Sequence, residues 1–371
     1  MGTYTIAVLP GDGIGPEVTE QAMRVLHRIA NRYGHTFNTT QALVGVAAIE
    51  AEGDAISGAT MQLCQGSDAI LFGAVGGSPR YEGPNAKVQP ERALFRLRKE
   101  LELFANLRPV RPLKALLNAS TIKAEVLQGT DLLVVRELTG GIYFGKPSEI
   151  RETAYGYDAI DTLIYTEAEI ERILRTAFEL ARGRRKKVTS VDKANILASS
   201  VLWRSRAKEI AAIYPQVKTN HMYVDNASLQ LVIAPEQFDV IVTSNMFGDI
   251  LSDGAAGVEG SLGLIPSMSW GLGPSLYEPI HGSAPSIAGK NIACPIGAIA
   301  SATMMLRESF DMHAEAQAID AAINQVLESG IRTADIAEKG TTAVSCSEFV
   351  SRTRDAMREH LSHAERYGWA V

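Results

Sequence analysis

The chain has 371 residues, 46% of them hydrophobic and 21% charged, with a formal net charge of −6. This is an ordinary globular composition, long enough for two domains or one large α/β unit, and its acidity excludes a general attraction to nucleic acid or anionic membrane. Three well-separated cysteines (Cys64, Cys294, Cys346) point to reduced thiols and a cytoplasmic protein, and neither an apolar leader nor a membrane-length apolar run is present.

"TIAVLPG" predicts a strand that runs into "PGDGIGPE" (10–17). Gly11, Gly13 and Gly15 resemble a dinucleotide-binding loop, but G-x-G-x-x-G wants a glycine where Pro16 stands. A tight turn and a ligand loop account for it equally well. An amphipathic helix follows, with Pro16 near its first turn and Gly34 as its stop. Residues 67–77 read as a buried strand feeding a glycine loop, 90–104 as a helix, and 130–138 as a strand. "GGIYFGKP" approximates Walker A spacing through Gly140, Gly145 and Lys146. Pro147 replaces the Ser or Thr that would hold magnesium, so a P-loop is rejected.

"ETAYGYDAIDTLIY" (152–165) predicts short extended arms, either a surface hairpin or a strand exchanged with a second subunit. Thr166 and Glu169 form a capping box for the next helix, whose "RGRRKK" end (182–187) reads as a solvated, dipole-favoured terminus. "KVTSVDK" and "FDVIVTSN" predict strands with a helix, "ANILASSVLWRSRAKEIAAIY", between them. "NMFGDILSD" then predicts a helix opening at Gly248, and "HGSAPSIAGKNIACP" (281–295) a loop of small residues around a ligand. The chain from 296 is mainly helical, with strong periodicity at 349–365. Alternating strands and helices make the fold class α/β.

Asp249 and Asp253 stand one helical turn apart and repel unless a positive group lies between them. Their oxygens suit Mg²⁺ or Mn²⁺, with Asp225 as a third candidate; on spacing alone, a helix cap and a surface acid explain them as well. Arg98, Arg108 and Arg136 could bind carboxylates, each singly being more often a surface ion pair. Lys193, between a buried strand and a helix, could serve as a base, and Tyr143 as an acid or simply an aromatic under a loop. His281 borders the third loop, while His360 and His363 read as solvated on a polar helix face.

The stretches "LPGDGIGPEV", "FANLRP", "VRELTGGIYFG", "SVDKAN", "NMFGDILSD" and "HGSAPSIAGK" together resemble the 3-isopropylmalate dehydrogenases, metal-dependent β-decarboxylating enzymes of leucine biosynthesis. The resemblance runs over almost the whole chain, and "GGIYFG" looks like the isopropylmalate branch rather than the isocitrate or homoisocitrate branches. It implies a two-domain fold unlike the Rossmann type. A discontinuous first domain (1–103 and 260–371) would carry both chain ends and most cofactor loops. The second (104–259) would carry the dimer interface, the arm near 152–165 and the metal and catalytic residues.

Site roles are likewise implied by the resemblance. Arg98, Arg108 and Arg136 would grip the malate carboxylates, with Leu94 and Phe95 against the alkyl group. Asp249 and Asp253 of one subunit, with Asp225 of the partner subunit, would hold Mg²⁺ or Mn²⁺. Lys193, also from the partner, would act as base through or beside Asp225, and Tyr143 would protonate the enolate. Glu91 would approach the nicotinamide ribose and amide of NAD. His281, Gly282, Ser283, Ala284, Pro285, Ser286 and Ile287 would surround the adenosine, with Cys294 near the adenine.

The chain departs from the family pattern at three places. The usual "GSAPDIAGK" has Ser286 in place of Asp, and "IANP" has Cys294 in place of Asn. Both weaken a strict preference for NAD over NADP. Against NADP, the Lys–Tyr pair of NADP-dependent relatives is absent, so NAD is expected. Leu94–Phe95 replaces a pair of leucines, which narrows the alkyl pocket or favours a smaller group, while an apolar wall still excludes a third carboxylate. Rival readings are oxidation of another alkylmalate, tartrate or homoisocitrate, a Mg²⁺-dependent phosphoryl-transfer enzyme, and a non-catalytic dimeric binding protein.

Overall fold

The computed structural model describes residues 2–81 and 87–367, with side chains as far as Arg358; those of His360 and His363 lie outside the described residues. The described chain divides into two compact units, one of residues 1–101, 113–121 and 259–371, the other of 102–112 and 122–258.

The first unit opens with β1 (Thr3–Gly11), α1 (Gly15–Tyr33), β2 (Thr36–Gln41), α2 (Val46–Glu52), α3 (Gly58–Gln65), β3 (Ala69–Ala74) and α4 (Arg92–Glu100). The predicted Pro16 start and Gly34 stop of α1 are both present, Gly34 in the left-handed conformation at φ 75°. Every residue of β3 is buried, as a central parallel strand covered on both faces requires. The predicted helix at 90–104 stops early. Glu102 adopts a left-handed φ of 52°, and Leu103 already belongs to a strand. Pairing of 105–110 with a distant strand overrides the local helical pattern.

The second unit contains β4 (Leu103–Val110), α5 (Ala124–Leu127), β5 (Leu132–Glu137), β6 (Ser148–Thr153), β7 (Gly156–Asp161), α6 (Glu167–Arg182), β8 (Lys187–Asp192), α7 (Ala198–Ile213), β9 (Lys218–Tyr223), α8 (Val224–Ile233), β10 (Val240–Thr243) and α9 (Asn245–Glu259). Its sheet has the order β4-β5-β10-β8-β9, with β4 antiparallel and the rest parallel. Trp203 of α7 is 2% exposed, donates its indole N–H to Ser190 Oγ at 3.2 Å, and meets Tyr165 edge-on. The Thr166–Glu169 capping box is formed.

β6 and β7 make an antiparallel hairpin of their own, exposed along nearly its whole length. It lies a few residues earlier than the arm expected at 152–165. Tyr165 is instead buried, and its hydroxyl accepts the Asn245 backbone N–H at 2.8 Å.

The "RGRRKK" end of α6 is largely solvated, as its composition suggests, with Arg182, Arg185 and Lys186 exposed, but it is also anchored. Arg184 donates to Asp131 and to buried Asp239 at 2.7 and 2.9 Å, Arg185 reaches the Phe238 carbonyl, and Lys187 the Gln237 carbonyl. Asp239, 1% exposed, must be neutralised where it lies, and nearby cations do so.

The chain re-enters the first unit with β11 (Pro266–Gly271), β12 (Ser275–Pro279), α10 (Ile296–Glu308), α11 (His313–Glu328), the short pair β13 (Ile331–Arg332) and β14 (Thr342–Ala343), and α12 (Cys346–Tyr367). The strand order there is β2-β1-β3-β12-β11, parallel except for β11. Among the described residues no helix is long and apolar enough to cross a membrane.

Candidate active site

Asp249 and Asp253 do lie on a helix, α9, but the helix starts at Asn245, three residues before the predicted Gly248. Gly248 has a different use. A Cβ there would fall 2.6 Å from Arg136 Cγ, so its absence lets the arginine pass against the helix.

Arg136 stands at the buried end of β5 and is 3% exposed. Its Nε and one terminal nitrogen donate to Asn245 Oδ1 at 3.0 and 2.8 Å, and the other terminal nitrogen pairs with Asp249. Asn245 is fixed in turn by donating to the Gly140 carbonyl at 3.1 Å. Arg108, on β4, donates to Asn106 at 2.7 Å, to Ser252 at 2.6 Å and to Asp253 at 3.1 Å, and sits 3.6 Å from Asp249. The turn after β5 is built on Glu137, 0% exposed, whose carboxylate accepts the Thr139 and Gly140 backbone N–H groups. That turn carries Tyr143, whose hydroxyl donates to Asp249 Oδ2.

These five side chains, Arg108, Arg136, Tyr143, Asp249 and Asp253, therefore meet in one cluster. Burial and the Asp249 charge push Asp253 above the usual carboxylate range, against the pull of Arg108. Burial and Asp249 likewise push the Tyr143 phenol up. Two acids at i and i+4, each facing an arginine, offer hard oxygens that fit a divalent cation such as Mg²⁺ or Mn²⁺. Among the described residues of one chain, no three acid, histidine or cysteine side chains gather to hold a metal, so Asp225 is not beside Asp249 and Asp253 in the same chain.

Asp225 pairs instead with Lys193, Nζ to Oδ1 at 2.6 Å. This interaction holds the Asp225 carboxyl below its ordinary range. Lys193 follows β8, and Asp225 lies in the first turn of α8.

The first unit holds the remaining candidates. Arg98 is buried near the end of α4, 3.3 Å from Glu278. Leu94 is half-buried on the same helix, and Phe95 is 37% exposed. Glu91 sits at its start beside Gly76. The loop from His281 packs on the first glycine loop. Ile14 N–H donates to the Ser283 carbonyl at 2.8 Å, and a Cβ on Gly13 (φ 60°) would collide with that carbonyl at 1.9 Å. The "PGDGIGPE" glycines thus serve close backbone packing, which explains their misfit to the dinucleotide pattern.

Ser283 is buried, Gly282, Pro285 and Ser286 are exposed, Ala284 and Ile287 are half-buried, and Ala284 has a left-handed φ of 40°. Cys294 is 5% exposed, and burial pushes its thiol up to about 12. His281 is buried with Nδ1 on the Gly282 carbonyl, and burial lowers its pKa. Its Nε2 has no hydrogen-bond partner among the described residues. With Nδ1 donating, Nε2 is an acceptor wanting a donor, which fits a nucleoside hydroxyl or amine against this loop.

Sequence reasoning missed Asn106, Asn245 and Ser252, which hold the arginines in place. The Asn of "NMFGD" and the Ser of "ILSD" were in view, but only the fold shows that they face Arg136 and Arg108.

Residues 5–352 match the family model described as isocitrate/isopropylmalate dehydrogenase. The chain is 54% identical over 367 residues to 3-isopropylmalate dehydrogenase of Geobacillus kaustophilus, covering 98% of each chain. It is 52% identical over 352 residues to the enzyme of that name from Aquifex aeolicus, covering 95% of this chain and 96% of that one. Among solved structures, isocitrate dehydrogenase from Methylococcus capsulatus superposes with a TM-score of 0.85 at 33% identity, over 96% of this chain and 99% of that one. A beta-decarboxylating dehydrogenase from Thermococcus kodakarensis gives a TM-score of 0.79 at 34% identity, over 98% of each chain. With a match over most of its length and relatives at more than half identity, the chain belongs to the isocitrate/isopropylmalate dehydrogenase family.

Proposed function

We propose that the protein catalyses the NAD-dependent oxidative decarboxylation of 3-isopropylmalate to 4-methyl-2-oxopentanoate and CO₂, in leucine biosynthesis. The observation that carries this is the 54% identity, end to end, with a 3-isopropylmalate dehydrogenase. The charge arrangement supports it: two buried arginine forks are aimed at one spot beside a pair of acids and a phenol.

Asp249 and Asp253, with Asp225 of the partner subunit, would hold Mg²⁺ or Mn²⁺. Bound there, the ion supplies Lewis acidity to the C2 hydroxyl and to the negative oxygen left after CO₂ departs. NAD, held through Glu91, the 281–287 loop and Cys294, supplies the hydride acceptor. The chain's own groups do the rest. Arg108, Arg136 and Arg98 grip the substrate carboxylates. Lys193 of the partner subunit, acting through or beside Asp225, takes the hydroxyl proton as hydride leaves C2. The resulting β-keto acid loses CO₂, and Tyr143 gives its phenolic proton to the carbon left electron-rich. Leu94 and Phe95 face the alkyl group and exclude a third carboxylate.

The enzyme works as a homodimer with shared active sites. The exposed β6–β7 hairpin and the apolar residues Val201, Ile213, Leu229, Val232 and Ile233 of α7 and α8, each half or more exposed, are surfaces that support pairing with a second copy. The two compact units support the division into 1–103 with 260–371 and 104–259, differing from it mainly at 113–121. Three free buried thiols fit a cytoplasmic enzyme.

The test is absorbance of reduced nicotinamide with 3-isopropylmalate, NAD and Mn²⁺. NADH should form and a chelator should stop it. No NADH from this diacid, with NADH from isocitrate or tartrate, would move the protein to another branch.

A further inference from the structure

Lys193 and Asp225 sit on different strand ends, and something must hold those ends together. β8 and β9 are parallel, with Asp192 opposite Tyr223 at their last paired position. Lys193 is the next residue after Asp192, and Asp225 comes two residues after Tyr223. β9 is the outermost strand of its unit's sheet, so its end has a ladder partner on one side only.

Arg204, on α7, touches both ends. Its Nε donates to Asp192 Oδ2 at 2.8 Å and a terminal nitrogen to Oδ1 at 2.7 Å, a two-point fork on a carboxylate 2% exposed. Its guanidinium carbon lies 4.6 Å from the centre of the Tyr223 ring. Asp192 also accepts the Ala194 backbone N–H at 2.9 Å, and Lys193's own N–H donates to Ser200 Oγ of α7 at 3.1 Å. The backbone on both sides of Lys193 is therefore pinned, and the pin reaches the residue that leads into α8.

We propose that Arg204 is a positioning residue for the proton-transfer pair: by clamping Asp192 and stacking on Tyr223 it sets the Lys193–Asp225 geometry. The proposal rests on the reading of Lys193 as the base. Arg204 is assigned to act through these protein contacts, not on substrate or cofactor directly. It acts on the step in which Lys193 must lie within hydrogen-bond reach of the hydroxyl, where small displacements are costly, and through Asp225 on the metal oxygen that residue would supply. An ion pair serves here because a planar fork fixes direction as well as distance, which a lysine ammonium does not.

The experiment compares wild type with Arg204→Ala, Arg204→Lys, Asp192→Asn and the double variant Arg204→Ala/Asp192→Asn. Melting curves and dichroism identify folded variants, and the double variant removes the stranded buried charge that could unfold Arg204→Ala. Tyr223→Leu removes the stack while leaving Asp192 paired. In folded Arg204→Ala, or in the double variant if the single one does not fold, kcat should fall about 10–100-fold. At saturating Mn²⁺, KM for the hydroxy-diacid and for NAD should stay within about threefold. Arg204→Lys should recover only part of kcat, and Tyr223→Leu should lower it less than Arg204→Ala. The loss in the double variant should match that of a single variant, because both act through one contact. Folded variants with kcat unchanged, or with KM rising while kcat holds, would overturn the proposal. Wild type that makes no NADH would instead refute the functional reading.

Discussion

Tyr143 donates its hydroxyl to Asp249 Oδ2 at 3.2 Å, while the Arg136 guanidinium lies 5.9 Å from the centre of the same ring. The phenol is thus tied to an acid expected to hold the metal. Burial and that carboxylate push its pKa above the ordinary phenol value, so it carries its proton throughout the neutral range. Tyr143→Phe should lower product formation about 10²–10⁴-fold. Because the ring is 42% exposed, the melting temperature should stay within about 2 °C. Wild-type turnover in the variant would remove the phenol from the reaction.

Asp249→Asn tests the cation. The Mn²⁺ concentration for half-maximal activity should rise at least about tenfold, as expected when one charged oxygen ligand is neutralised. Metal titrations that superpose on those of wild type would take Asp249 out of the ligand set.

Phe95 governs the alkyl pocket if its 37% exposed ring faces substrate. Replacing it by leucine should raise kcat/KM for the 3-isopropyl over the 3-methyl substrate, by about tenfold. An unchanged ratio places the ring away from the alkyl group.

Arg184 is a purely structural prediction. Its fork neutralises Asp239, which is 1% exposed, and leaves only the more distant Arg185 (3.8 Å) and the Lys187 N–H when removed. Arg184→Ala should cost about 2–3 kcal/mol in denaturant unfolding, with catalysis by the surviving folded enzyme unchanged. A loss under about 0.5 kcal/mol would mean that Arg184 is not what neutralises Asp239.

The pH dependence of stability has a definite sign at two histidines. Burial, the largest cause at each, lowers the folded pKa of His281 and His221. The unfolded chain therefore takes up these protons first as pH falls. Their contribution is complete above about 6.5 and is lost below it, toward the folded values. Asp12, Glu137 and Asp253, raised by burial, act in the opposite sense and lose their contribution as pH rises. Comparing wild type with His281→Gln separates the two. In the variant, the fall in melting temperature between about pH 7.5 and pH 5.5 should be smaller. Equal falls would show that His281 is not held neutral by its surroundings.

Much of this was legible because the informative signals are local. The capping box at Thr166, the Gly34 stop, the apolar runs of β3 and β5 and the acids on α9 all depend on neighbours within a turn or a strand. Prediction went astray where a distant partner overruled a local preference. At 101–104, helical periodicity lost to pairing with β5. At 182–187, a mostly exposed run gained a partner its composition does not show, the buried Asp239 carboxylate that Arg184 pairs with. α9 began at Asn245 because that residue's N–H and side chain have partners in Tyr165, Gly140 and Arg136, all far away in sequence.

The order of residues determined the α/β alternation, the family and which side chains carry chemistry, since these reside in spacing and residue type. Only the tertiary structure decided which charges face each other. It set Arg108 and Arg136 on Asp249, tied Lys193 to Asp225, and left His281 Nε2 without a partner among the described residues. The reason is physical: a charge's partner is set by distance and burial in three dimensions, and residues more than a hundred positions apart, such as Arg108 and Asp253, carry no mark of each other in the chain.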